Sequence, residues 1–244
     1  MKFNSDKTKY AILSFIMVIF MAGVGCKTAK SISGTLTFVR GDVKIMKESS
    51  TGAASQITAK IGQRVSKGDI IATGKNSFAI LQFDDDSSMM EIQSEARVIL
   101  QEYSEKIKDV YIEKGNVWTV VDKLSGKSQF TLRTPTSVAG VRGTKFYTFS
   151  FGDIYGTCFC HGKVQYNTTT SDYNQENSED YVIFTRGDTT ITITQKEIKE
   201  AGIEDSSHSH SVIGDSPLGK QYSLNAEEEK IFFGLVEKKL AEGH

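Results

Sequence analysis

Apolar and polar residues alternate in short segments along most of the chain, over residues 34–193. Successive side chains of a β-strand point to opposite faces, so this alternation predicts strands that each bury one face. Residues 78–83 are typical, because their odd and even positions form two separate faces. Similar runs recur about every 8–15 residues, with Gly, Asn, Asp or Ser between them. The pattern predicts an all-β fold, organised as a short β-solenoid, a roll or a sandwich.

Five glycines share a local pattern in which Val, Ile or Thr follows two positions later. They are Gly41, Gly68, Gly115, Gly162 and Gly187. Because their spacing is uneven, we interpret them as hairpin turns of similar chemistry and not as a sequence repeat.

Two segments near the C-terminus depart from the alternation and predict short helices. Thr194 with Glu197, and Asn225 with Glu228, fit the capping box, in which the cap residue and the third helical residue bond each other's backbone. Gly202 fits the position that ends the first helix.

The second of these helices has one apolar face. This face consists of Ile231, Phe232, Leu235, Val236 and Leu240. An apolar helix face must be buried against something. Two interpretations are open: the face packs against the β domain of the same chain, or it binds a partner protein.

The N-terminus has the pattern of a targeting segment. Three lysines precede an apolar run over residues 10–22, which is shorter than the roughly 20 residues that span a bilayer and is typical of a signal peptide. The run ends in Gly-Val-Gly-Cys at residues 23–26, which resembles a lipoprotein signal in which Cys26 becomes the lipidated first residue. The alternatives are an ordinary cleaved signal, or an uncleaved anchor with an unrelated cysteine.

The predicted organisation therefore has four parts. They are a signal peptide (1–25), a lipidated linker (26–33), a β domain (34–193) and a C-terminal extension (194–244) in which two short helices flank a histidine-containing segment. Such a protein is expected in the cell envelope, attached by its lipid to the inner or the outer membrane.

The charge balance argues against nucleic acid as a partner. The chain has 29 basic and 30 acidic residues. Loss of Lys2, Lys7, Lys9 and Asp6 with the signal leaves a mild acidic excess. A nucleic-acid-binding protein would carry a basic face, and export would separate it from nucleic acid.

Two cysteines follow Cys26, separated from each other by one residue. On a strand, Cys158 and Cys160 share a face, while His161 lies on the other. Their Cα atoms would be roughly 6–7 Å apart, near the upper limit for a disulfide. His208 and His210 have the same spacing, so an extended segment would place both imidazoles on one side.

One hypothesis is a four-coordinate site for zinc or iron, formed by Cys158, Cys160, His208 and His210, with His161 as a substitute ligand. Thiolate and imidazole are ligands that zinc and similar metals prefer. The spacing matches neither a zinc-finger pattern nor the Cys-x-x-Cys-His pattern of haem attachment. The alternative is that the cysteines are core residues or a disulfide, and that the histidines belong to a solvated loop.

Residues 130–146 hold the most specific pattern in the chain, FTLRTPTSVAGVRGTKF. Pro135 fixes its own φ and disfavours a helical residue before it. We therefore predict a strand over 130–133, a rigid corner, and a second strand over 145–150. Arg142 stands between two glycines, either as a buried structural arginine or as a contact to an anionic ligand.

This stretch resembles the signature of FecR-like domains, which are extracytoplasmic all-β modules. Further matches are Gly-Asp-Val at 41–43, Lys-Gly-Asp-Ile-Ile at 67–71, and the segments 79–83 and 115–117. The resemblance covers roughly residues 33–166. It implies a non-enzymatic binding or scaffolding module of the cell envelope, with another envelope protein as its partner.

Two other functions are compared with this one. In FecR regulators the extracytoplasmic domain relays a signal from an outer-membrane receptor through a membrane helix to a sigma factor. This sequence shows no apolar span between residues 27 and 244 and no anti-sigma region, so that role is the least favoured.

A metal- or haem-responsive lipoprotein that uses the Cys and His residues is the second hypothesis. The sequence carries no P-loop, nucleophile elbow or zinc-protease motif, so catalysis is not expected.

Overall fold

The computed structural model describes residues 34–47, 55–83, 88–104, 107–122, 128–141, 143–169, 172–177, 181–203 and 225–243. These residues form strands β1 (Gly34–Arg40), β2 (Val43–Lys47), β3 (Ser55–Thr58), β4 (Arg64–Val65), β5 (Ile70–Thr73), β6 (Phe78–Phe83), β7 (Met89–Ile92), β8 (Arg97–Tyr103), β9 (Ile107–Lys114), β10 (Val117–Val121), β11 (Gln129–Arg133), β12 (Ser137–Val141), β13 (Thr144–Phe151), β14 (Ile154–His161), β15 (Val164–Thr168), β16 (Asn174–Asn177), β17 (Tyr181–Arg186) and β18 (Thr189–Thr194). They also form helices α1 (Gln195–Glu200) and α2 (Ala226–Glu242).

The strands are arranged in two sheets of nine. The order in the first sheet is β18-β17-β14-β13-β10-β7-β6-β1-β4, and in the second it is β16-β15-β12-β11-β9-β8-β5-β2-β3. Paired strands are antiparallel except β9 and β11, which are parallel. The chain moves from one sheet to the other after every one or two strands, so hairpins of the two sheets alternate along the sequence.

The two sheets face each other across one apolar core. Fully buried side chains from the first sheet include Leu36, Leu81, Ile92, Phe146, Phe159 and Ile183, and those from the second include Val43, Ile71, Val98, Val110, Leu132 and Tyr166. This arrangement is a sandwich and not a closed barrel. It confirms the predicted all-β fold class with a small helical extension.

The outer faces of the two sheets differ, and we name the sheets accordingly. Both described helices pack on the outer face of the first sheet, over β13, β14, β17 and β18, and this is the covered sheet. Neither of the described helices packs on the outer face of the second sheet, which is the open sheet.

The five glycines predicted at hairpin turns all adopt positive φ angles. Only Gly187, between the paired strands β17 and β18, lies in a hairpin. The hairpin prediction is wrong for the other four, which connect strands of different sheets: Gly41, Gly68, Gly115 and Gly162. Gly115, between β9 and β10, shows why glycine is needed. Its φ is 92°, and a Cβ atom added there would lie 2.4 Å from the Cα of Ala96. A larger residue would therefore both strain the backbone and clash with the neighbouring turn.

Both predicted capping boxes are present. The Thr194 hydroxyl accepts the backbone N–H of Glu197, and the Asn225 side chain accepts the backbone N–H groups of Glu227 and Glu228. Gly202 follows α1 with a φ of 93°, as expected for a helix stop. Neither described helix has the length and apolar composition needed to span a membrane.

Candidate functional site

The signature segment forms β11, a turn at Pro135, β12 and the start of β13. The strands predicted over 130–133 and 145–150 correspond to β11 and β13. β12 is an additional strand between them, which the sequence hides because small residues interrupt its apolar alternation. Arg142 lies outside the described residues, so its two interpretations stay predictions.

Buried hydroxyl side chains fix the turn at Pro135 and connect it to the opposite sheet. The Thr134 hydroxyl accepts the backbone N–H groups of Thr136 at 3.3 Å and Ser137 at 3.0 Å, which fixes the turn. The Thr136 hydroxyl lies 2.6 Å from the hydroxyl of Thr185 on β17, in the covered sheet. A hydroxyl needs an adjacent base to act as a nucleophile, whereas these partners are hydroxyl and backbone groups. The signature therefore fastens the two sheets together.

β14 places the two cysteines side by side on the outer face of the covered sheet. Their Sγ atoms are 3.4 Å apart. A disulfide bond is about 2.05 Å long, so both residues are thiols. Cys158 is buried beneath α2 and Cys160 is half-buried. Phe159, between them, points into the core, as the strand spacing predicts.

The environment of Cys160 favours the protonated thiol. Burial raises the pKa of Cys160 well above its usual value, and the hydrogen bond and charge interaction with Cys158 add to the rise. A backbone hydrogen bond from Tyr147 acts in the opposite direction. Cys160 is therefore a neutral thiol at neutral pH, and a metal ion would have to displace its proton on binding.

Of the predicted metal ligands, the structure describes only the cysteine side chains. His208 and His210 lie outside the described residues, as does the side chain of His161. Within the described part of the chain, no group of three or more Cys, His, Asp or Glu side chains comes together. The four-ligand metal site therefore stays a prediction, and so does lipidation of Cys26, which also lies outside the described residues.

A buried polar group that sequence reasoning missed lies on the same sheet as the thiols, three strands away from β14. Glu91 on β7 is fully buried on the outer face of the covered sheet, next to Trp118 on β10. The Gln93 side-chain amide donates to the Glu91 carboxylate at 3.2 Å, and the Tyr147 hydroxyl donates to the Gln93 side-chain carbonyl at 2.9 Å. Burial, followed by the nearby Glu91 carboxylate, raises the pKa of Tyr147. The sequence gives no signal for this arrangement, because alternation in β7 assigns Glu91 to solvent.

Helix α2 packs on part of the outer face of the covered sheet. Its buried side chains are Phe232, Val236 and Leu240. At the edge of this contact, the Lys239 ammonium donates to the Thr192 carbonyl at 2.6 Å and to the Glu197 carboxylate at 2.6 Å. The apolar face of α2 thus packs on the protein's own sheet, which decides between the two interpretations. Ile231, predicted on this face, is 37% exposed.

The outer face of the open sheet carries a different surface. A row of half-buried apolar side chains crosses four strands and consists of the successive cross-strand partners Met46, Ile70, Ile99 and Tyr111. Two ion pairs flank this apolar row, Arg97–Glu113 at 2.6 Å and Arg133–Asp109 at 2.9 Å. Apolar groups bordered by paired charges are therefore presented on a face that neither described helix covers.

A family model described as FecR protein matches residues 69–165. The FecR resemblance is confirmed over those residues. The matched segment begins just before β5 and ends within β15, so it contributes strands to both sheets. It includes the signature, the apolar row from Ile70 to Tyr111, and the two thiols on β14.

Two crystal structures of a candidate anti-sigma factor from Parabacteroides distasonis ATCC 8503, at 1.65 Å and 2.50 Å resolution, are similar to this chain. Each has 13% sequence identity and a TM-score of 0.45, and the similarity covers 55% of this chain. The chain spans 65% and 64% of the length of those two proteins. A likeness at this level carries no argument about function. No curated protein gives a significant match to the sequence.

Proposed function

We propose that this protein is a non-enzymatic binding module of the cell envelope, tethered to a membrane through lipidated Cys26. One observation carries the proposal. The FecR-like segment contributes most strands of the open sheet, whose outer face presents the apolar row, whereas the apolar surface of α2 is already buried on the covered sheet. The FecR match supports the extracytoplasmic setting.

The apolar row has the chemistry of a protein-binding surface. Neighbouring strands are about 5 Å apart, so four side chains form a ridge about 15 Å long. Tyr, Met and Arg are enriched in protein interfaces, and all three types occur at the row or beside it. The flanking ion pairs would set orientation and partner choice more than affinity. The surface suits another envelope protein with a complementary apolar strip.

The chemistry of the other described groups supports binding over catalysis. The signature hydroxyls contact other hydroxyls and the backbone, without a base to activate them. Burial raises the pKa of Cys160 and of Tyr147, which keeps both groups protonated at neutral pH. A nucleophile is instead activated by a lowered pKa or by an adjacent base.

Site-specific crosslinking in cells tests the binding proposal. A photoreactive amino acid replaces Tyr111 in one protein and Lys238, on the exposed side of α2, in the matched control. We expect a protein adduct from position 111 only, and we expect Ile99→Asp to abolish it. Identification of the adduct by mass spectrometry also tests the sigma-relay role, which would give a receptor or a sigma-factor partner. The same adducts from both positions would contradict binding through the apolar row.

Metabolic labelling with a clickable fatty acid tests the membrane tether. The wild-type protein should take up the label and fractionate with membranes, whereas Cys26→Ala should do neither. A Cys26→Ala protein that stays in the membrane fraction would show an uncleaved anchor instead. An unlabelled but exported wild-type protein would show an ordinary signal peptide.

A second candidate function, that of a metal-responsive lipoprotein, is favoured by the 3.4 Å separation of the thiol sulfurs. Two sulfurs of a tetrahedral zinc site with Zn–S bonds of about 2.3 Å lie about 3.8 Å apart, so a small side-chain rotation would suffice. The test is the metal content of protein purified under reducing conditions without chelator. About one equivalent of zinc or iron should be bound and should be lost in a Cys158→Ser/Cys160→Ser variant. Metal-free wild-type protein would exclude this candidate.

A further inference from the structure

We infer that Cys158 and Cys160 form a redox-active dithiol, which closes to an intrastrand disulfide and reopens, and thereby alters the packing beneath α2. This goes beyond the proposed function and does not depend on the membrane tether. It rests on the separation of the two sulfurs, on their unequal exposure, and on the side chains that surround them.

The geometry allows the bond to form and also to be broken. The sulfurs are 3.4 Å apart, so closure to about 2.05 Å requires side-chain rotation and little backbone movement. Residues two apart on a strand have Cα atoms roughly 6.6 Å apart, at the upper end of the disulfide range of about 4.4–6.8 Å. A disulfide at that limit is strained, and strained disulfides are reduced more readily than structural ones.

The two thiols differ in solvent exposure, and this difference gives them different roles in the reaction. Cys160 is half-buried, whereas Cys158 is 5% exposed. A disulfide oxidant such as oxidised glutathione therefore meets Cys160 first. The Cys160 thiolate attacks one sulfur of the oxidant and displaces a thiolate, which leaves a mixed disulfide. Cys158 then attacks the Cys160 sulfur and displaces the second thiolate. The two protons lost by the cysteines pass to the two released thiolates, and two electrons pass to the oxidant.

The surroundings connect this reaction to the rest of the covered sheet. Cys158 belongs to the buried cluster that holds Val236 of α2, and Cys160 packs both on that cluster and on the one that contains Trp118. Drawing the two sulfurs together therefore changes contacts on both sides of β14. Trp118 is the only tryptophan of the chain, so its fluorescence reports the change.

The test treats the purified protein with oxidised glutathione at pH 8, blocks the remaining thiols by alkylation, and measures the mass. We expect both thiols to be lost without retained glutathione and without covalent dimers. Reduced glutathione should restore both thiols, and Trp118 fluorescence should fall on oxidation and recover on reduction. The proposal is overturned if both thiols remain alkylatable, if the disulfide does not reopen, or if bound metal blocks alkylation of the reduced protein.

Single variants test the two roles, and circular dichroism verifies that each variant is folded. Cys158→Ala should accumulate a stable glutathione adduct on Cys160, because nothing resolves the mixed disulfide. Cys160→Ala should form its adduct on the buried Cys158 at least about tenfold more slowly. Equal rates in the two variants would overturn the assignment of attacking and resolving thiols, and the wild-type measurement stands independently of whether a variant folds.

Discussion

The outer faces of the covered and open sheets lie in different environments. On the covered sheet, Trp118 is 1% exposed and has the fully buried Glu91 as its cross-strand neighbour. On the open sheet, Tyr111 and Ile99 are cross-strand partners and are only half-buried. The helix that packs on the neighbouring strands β13, β14, β17 and β18 begins more than 100 residues after Trp118. The burial of a strand face is therefore not a property of the strand alone.

The two outer faces also differ in what they contribute: the covered face mainly stabilises the fold, and the open face is available for binding. Full burial of an aliphatic or aromatic side chain contributes roughly 1.5–3 kcal/mol, so Phe232, Val236 and Leu240 together supply a large share of a typical folding free energy of about 5–15 kcal/mol. The apolar row of the open sheet supplies less to folding because it is half-buried. It is correspondingly free to be buried by another molecule.

Placing a carboxylate on each face should give the largest difference in the free energy of unfolding between the two faces. Val236→Asp buries a charge at a fully buried position, and we expect it to lower the free energy of unfolding by more than about 4 kcal/mol or to prevent folding. Ile99→Asp on the open sheet should cost about 1 kcal/mol. Urea denaturation followed by circular dichroism measures both values. Equal losses would mean that the open face is covered as fully as the other.

Truncating one aromatic residue on each face gives the next largest difference. Trp118→Ala removes a fully buried ring and should cost about 3–5 kcal/mol. Tyr111→Ala removes a half-buried ring and should cost about 1 kcal/mol, while it should also weaken binding of the partner at the apolar row. Thermal unfolding of both variants checks the stability part. If Tyr111→Ala destabilised the protein as much as Trp118→Ala, the row would be a structural element and not a free binding surface.

Local sequence signals predicted much of the fold. Alternation identified strands such as β6 and β11, and the residues of both capping boxes marked where α1 and α2 begin, because those signals depend only on neighbouring residues. The same applies to the common face of Cys158 and Cys160. β12 and the burial of Glu91 could not be predicted, since the first has a weak alternation and the second depends on strands and segments distant in sequence. The pairing of hairpins into two sheets is equally non-local.

Tyr166, in the core between the two sheets, gives a smaller and pH-dependent effect on the free energy of unfolding. Burial raises the pKa of Tyr166 to about 12, and the hydroxyls of Ser137, Thr157 and Thr185 partly offset this rise. None of the three makes a well-aligned hydrogen bond to the phenol oxygen. A raised folded-state pKa stabilises the fold below the unfolded pKa of about 10, and that contribution is lost as the pH rises toward 12. We expect a loss of roughly 2–3 kcal/mol over this range.

Tyr166→Phe isolates this contribution. The variant cannot ionise at position 166, so its free energy of unfolding should fall less steeply between pH 10 and 12 than that of the wild type. Tyr147, whose pKa burial also raises, is present in both proteins and cancels in the difference. Parallel pH profiles for the two proteins would show that Tyr166 ionises without opposing the fold.

The smallest effect lies at the rim of the covered face, where Lys239 links α2 to Thr192 and Glu197. Burial opposes ionisation of Glu197, but the hydrogen bonds from Lys239 and Thr194 outweigh it and lower its pKa. A lowered folded-state pKa stabilises the fold above the unfolded pKa of about 4.3, and this stabilisation disappears as the pH falls below it.

Lys239→Met should therefore cost about 0.5–1 kcal/mol at pH 7 and less at pH 3. The bond to the Thr192 carbonyl does not titrate in this range, so a residual cost should remain at pH 3. Lys238→Met, one position away on the exposed side of α2, should change the free energy of unfolding at neither pH. An undiminished cost of Lys239→Met at pH 3 would show that the bond to Thr192 holds the rim of the covered face alone.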